Sequence, residues 1–85
     1  MKGRLNMPVR VRLSPHLWKY VPGYDPNKGV MLENMDGRTV RQIIEELKIP
    51  PEEVYAIMLN SYPGKPNSVV KDSDSITLTK IIGGG

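Results

Sequence analysis

Residues 39–48, TVRQIIEELK, restrict the fold more than any other segment. Thr39 and Gln42 stand at the T-x-x-Q spacing of a capping box. Val40, Ile43, Ile44 and Leu47 follow at i, i+3, i+4 and i+7, which places them on one face of a helix. Arg41 precedes Glu45 by one turn, and Lys48 suits the negative end of the helix dipole. Pro50-Pro51 stops the helix, and Ile49 must leave the helical region because a proline follows it. A helix of about nine residues is too short to persist alone in water. Its apolar stripe therefore demands a sheet beneath it.

Period-two alternation supplies that sheet. Val9, Val11 and Leu13 alternate with Arg10, Arg12 and Ser14, and Pro15 ends the strand. Val30 and Leu32 form a second short strand, followed by an Asp36-Gly37 turn. Residues 15–29 between them read as a long loop that concentrates Trp18, Tyr20 and Tyr24. After the helix, Pro51–Val54 can make one extra turn. Tyr55, Ile57 and Leu59 then mark a third strand, and Ser61–Pro66 a turn region. Val69 and Val70 offer a very short strand or core contacts, Lys71–Asp74 a turn, and Ile76 and Leu78 the last strand. A chain of 85 residues supports one domain. The order strand, strand, helix, strand, short strand, strand fits an α+β, ubiquitin-like β-grasp with a mixed sheet of four to five strands and one main helix on one face. A ferredoxin-like fold needs a second helix, for which residues 61–75 carry too much Pro, Gly, Asp and Ser. The domain is expected to span 1–85, with a loose arm over 1–6 and a flexible tail over 82–85.

Composition narrows the chemistry. With no cysteine, the chain can form no disulfide, thiolate metal site or cysteine nucleophile, and one histidine cannot make a histidine cluster. The expectation is no metal and no cofactor bound by this chain. Twelve Lys and Arg against nine Asp and Glu give a net charge of +3, too scattered for a nucleic-acid binder apart from the Arg10 and Arg12 pair with Lys2 and Arg4 upstream. No apolar run is long enough to cross a membrane, so a soluble cytoplasmic protein is expected. Asp72 and Asp74 read as turn caps, His16 as a surface or packing residue, and no glycine-rich phosphate loop is present.

The end of the chain carries the remaining chemical signal. Gly83-Gly84-Gly85 follows the apolar pair Ile81-Ile82. Side-chain-free residues can thread a narrow channel in extended form, leaving the Gly85 carboxylate as an unhindered group at the tip. A chain with no cysteine, metal cluster or nucleotide loop cannot activate that carboxylate itself. It is expected to serve as a carrier or co-substrate rather than a stand-alone enzyme.

GRTVRQIIEELKI over 37–49, PPEEVYAIMLN over 50–60 and VVKDSDSITLTKIIGGG over 69–85 together resemble the sulfur-carrier family of ThiS and MoaD, the latter the small subunit of molybdopterin synthase. The resemblance implies that an E1-like enzyme adenylates Gly85 with ATP, that a persulfide donor converts it to a thiocarboxylate, and that a synthase large subunit accepts the sulfur in molybdenum cofactor biosynthesis. Gly84 would precede the reacting group, and Gly83, Ile82 and Ile81 would line the approach. Apart from the resemblance, Trp18 can cap the core, but Trp18, Tyr20 and Tyr24 together are more aromatic surface than one core edge needs, so loop 15–29 is expected to help select the partner. The alternatives are a thiamine-pathway sulfur carrier, a ubiquitin-like modifier conjugated to lysines, and a non-catalytic β-grasp adaptor.

Overall fold

The computed structural model describes residues 7–79. The elements run β1 (Val9–Leu13), a 3₁₀ helix (Pro15–Tyr20), β2 (Val30–Leu32), α1 (Val40–Glu46), a 3₁₀ turn (Pro51–Glu53), β3 (Ala56–Leu59), β4 (Tyr62–Pro63) and β5 (Ser75–Thr79). Five strands form one sheet in the order β2-β1-β5-β3-β4. The central pair, β1 with β5, is parallel, and the other neighbours are antiparallel. This is the mixed-sheet, one-helix β-grasp that the residue pattern predicts.

Register sorts the side chains into two faces. Val11 pairs with Ile76 and Leu13 with Leu78, while Ile57 pairs with Leu78 from the other side. All of these are buried, and Val40, Ile43 and Ile44 of α1 close over them. Leu17, Met35, Ile49 and Val70 seal the rim of the same core.

A helix of seven residues must have both ends satisfied, because most of its backbone groups lie in a terminal turn. Gln42 N–H donates to Thr39 Oγ1 at 3.2 Å and Thr39 N–H donates to Gln42 Oε1 at 2.9 Å, completing the predicted capping box. The loop before β5 meets the two remaining donors of the first turn. Val40 N–H reaches Ser68 O at 3.0 Å and Arg41 N–H reaches Pro66 O at 2.8 Å. The short strand expected at Val69–Val70 is this suture, reduced to a single bridge between Thr39 and Val69.

At the other end, Ile49 N–H donates to Ile44 O at 3.2 Å and Lys48 N–H to Glu45 O at 2.9 Å. These are the two bonds of a Schellman motif, with buried Ile49 against buried Ile44 as its apolar contact. The motif places Lys48 at φ 60°, where glycine is the unstrained residue.

β4 lies at Tyr62–Pro63, inside the segment expected to be a turn. Asn60 and Ser61 both have positive φ between the paired Leu59 and Tyr62, the backbone of a two-residue type I′ hairpin. Pro63 is tolerated because β4 is an edge strand.

The 15–29 segment is more ordered than a loop. After Val11↔Val30 the β1–β2 ladder runs out, which leaves the Leu13 backbone groups without a strand partner on that side. Two aromatic side chains take its place. Leu13 N–H donates to the Tyr24 hydroxyl at 2.8 Å, and Trp18 Nε1–H donates to Leu13 O at 2.8 Å. Their rings lie 5.8 Å apart. Gly29 then returns the chain to β2 at φ +76°, and a Cβ there would stand 2.7 Å from Val11 O.

Two outcomes follow for denaturant unfolding. Lys48→Gly should raise stability by about 1 kcal/mol by relieving the left-handed cap. A loss instead would show that the cap is unstrained. Tyr24→Phe should cost about 1–2 kcal/mol, because it orphans the Leu13 N–H, and Trp18→Phe should cost less, because the Tyr24 hydroxyl still lies 3.5 Å from Leu13 O. Neutral substitutions would contradict their role as a surrogate strand.

Candidate functional site

The alternation that fills the core sends the intervening residues to the opposite side of the sheet, where no helix among the described residues covers them. Cross-strand register arranges them in rows. Met31, Arg10 and Ser75 form one row, and Arg12, Thr77, Met58 and Pro63 the next. Ala56 and Thr79 pair beyond them. Arg12 and Met31 are exposed, and Arg10, Met58, Ser75 and Thr77 are half-buried. A shallow depression of about 370 Å³ runs across β1, β5 and β3, lined by Arg12, Met58, Ser61, Ser75 and Thr77.

The electrostatics of this face are one-sided. Among the described residues, no ion pair joins Arg10 or Arg12 to a carboxylate. The strand positions on the face supply two guanidinium groups, three hydroxyls, two thioethers and no acid. Arg presents planar donor forks, and Met presents soft apolar surface that repacks easily against different neighbours. Such a surface can bind, but it holds no acid–base pair with which to catalyse.

Other candidates have structural roles. His16 Nε2 lies 2.9 Å from Glu53 O, which can only accept, so in the neutral ring Nε2 carries the proton and Nδ1 accepts from Ser14 Oγ at 3.0 Å. The histidine thus ties the β1 end to the 3₁₀ turn. Asp74 caps its turn, accepting from Lys71 N at 2.9 Å and from Asn60 Nδ2 at 2.8 Å. Asp36 Oδ1 accepts from Asp72 N at 3.0 Å. Among the described residues, no three His, Asp or Glu side chains gather to hold a metal ion, and no helix is long and apolar enough to cross a membrane. A notch of about 60 Å³ beside α1, lined by Arg41, Ile44, Pro51, Val54, Ile57 and Pro66, is smaller and mainly apolar.

Of the residues that the sequence nominated, Ile81, Ile82, Gly83, Gly84 and Gly85 lie outside the described residues, as do the 1–6 arm and the 82–85 tail. Trp18 and Tyr24 lie together at the end of β1, and Tyr20 packs partly buried against the core. Met31 and Met58 were not nominated. Their signal was the alternate half of each strand, which does not by itself show that the two share a face across β2 and β3.

Residues 7–80 match the family model described as Mut7-C ubiquitin. No curated protein and no solved structure matches the chain. The family match overturns the expected kinship with the ThiS and MoaD sulfur carriers. With that kinship go the sulfur-carrier function, the thiocarboxylate chemistry and the place in molybdenum cofactor biosynthesis. Both families are β-grasp folds, so the helix block and the acidic turn before the last strand do not separate the two, and the glycine end that completed the resemblance lies beyond the matched residues. By a match that spans nearly all of its length, the chain belongs to the Mut7-C ubiquitin family.

Proposed function

We propose that this chain is a β-grasp adaptor, a binding module that docks a protein through the open face of its sheet. The observation that carries the reading is the pair Arg10 and Arg12, unpaired among the described residues and set between Met31 and Met58. A face kept only for solubility mixes both charge signs. This one has cations and apolar thioethers without a carboxylate on its strands. The family description joins a ubiquitin-like fold to a second element, Mut7-C, which suits a module that serves another protein.

Size sets the class of contact. Five strands about 4.8 Å apart and up to five residues of about 3.3 Å give a face of roughly 24 by 16 Å. That is about half the area each partner contributes to a standard protein–protein interface. The docking is accordingly transient.

A photo-cross-linking residue placed at Thr77 in the native host should yield a discrete protein adduct. The same residue at Glu46, on the exposed side of α1, should yield none. Adducts from position 46 alone, or from neither position, would contradict docking through the sheet.

A further inference from the structure

From the open face, and resting on the adaptor reading, we infer the chemistry of the partner: an extended acidic segment with carboxylates at alternate residues. Arg10 and Arg12 stand two apart on one strand, so their Cα atoms are separated by about 6.7 Å. An extended peptide repeats its own side chains at that same period. A segment laid along β1 therefore presents residues i and i+2 to the two guanidinium forks in register, and each fork can take a carboxylate through two parallel N–H donors.

The surroundings favour this occupant. No strand residue on the face carries a negative charge to compete. Glu33 and Asp74 lie just beyond the ends of β2 and β5, and Asp74 is already committed to Lys71 and Asn60. Met31 sits beside Arg10 in one row, and Met58 lies beyond Thr77 from Arg12 in the next. Both thioethers thus lie to the sides of a segment that follows β1, where they can pack against the aliphatic stems of its acidic side chains. The depression between Arg12 and Met58 is shallow and floored by Ser75 and Thr77, which suits a single extended chain better than the broad surface of a globular partner. Nucleic acid also carries negative charge, but single-stranded recognition uses aromatic side chains on which bases stack. The open-face strand positions hold none.

The test uses the full chain, isotopically labelled, and a synthetic peptide Leu-Ser-Glu-Ser-Glu-Ser-Leu. Amide shifts should map to β1, β5 and β3, and affinity should fall steeply as salt is raised. The double variant Arg10→Gln with Arg12→Gln should bind about tenfold more weakly, while Arg10→Lys with Arg12→Lys should retain part of the affinity. Thermal unfolding of both should match the parent, since neither side chain enters the core. Equal binding, at the same face, of the peptide with Gln in place of Glu would overturn the acidic partner and leave the docking face standing. Shifts confined to other surfaces, or no binding by either peptide, would overturn the acidic partner and remove support for the docking face. Tighter binding of single-stranded oligouridine at the same residues would overturn the proposal in favour of nucleic acid.

Discussion

The burial of one sheet face beneath a seven-residue helix is the interaction on which the rest of this domain depends. Two turns of helix have no stability of their own in water, because nucleation costs more than so few hydrogen bonds return. The sheet is in the same position until one face is covered. Each element is therefore stable only through the other. The dense termini of α1 follow from that dependence. The Thr39–Gln42 capping box, the donors passed to Ser68 and Pro66, and the Schellman bonds to Ile44 and Glu45 leave little of the helix backbone unsatisfied. The chain even accepts Lys48 in a left-handed conformation so that Ile49 can turn back onto Ile44.

The same one-sided burial creates the open face. Strands with period two cannot bury one set of side chains without presenting the other. With one short α-helix among the described residues, Arg10, Arg12, Met31 and Met58 fall on the side that no described element covers. Trp18 and Tyr24 serve the other limit of the sheet, holding Leu13 where β2 no longer reaches. The aromatic segment of 15–29 thus supports the strand that carries the two arginines.

Much of this architecture was legible because it rests on local spacing. The capping box is two residues three apart, the helix stripe repeats within two turns, and β1, β3 and β5 announce themselves by alternation. β4 was not legible. Its hairpin uses Asn60-Ser61 rather than an Asn-Gly pair, and Pro63 argues against a strand until its edge position is known. The Trp18 and Tyr24 bonds to Leu13 span five and eleven residues with no periodic signature, so the rings read as surface for a partner. The family was misread for a related reason. The helix block and the acidic turn that resembled a sulfur carrier sit in a β-grasp fold common to both families, and both lie within the Mut7-C ubiquitin match. As for the site, the Arg10–Arg12 pair stood out as the exception to an otherwise scattered set of basic residues. Its company of Met31 and Met58 emerges only once the register brings four strands side by side.

The methionines offer a direct measurement of the central claim, that the open sheet face is the surface this domain uses. Met31 and Met58 lie on that face, Met35 is 7% exposed in the core, and Met7 is 51% exposed ahead of β1. Sulfoxide formation under mild peroxide follows thioether exposure. Oxidation rates should be compared for the purified chain and for the chain in its native assembly. Met31 and Met58 are predicted to be protected in the assembly, with Met7 still reactive and Met35 slow in both. Unchanged rates at Met31 and Met58, with protection appearing elsewhere, would contradict the open face as the working surface.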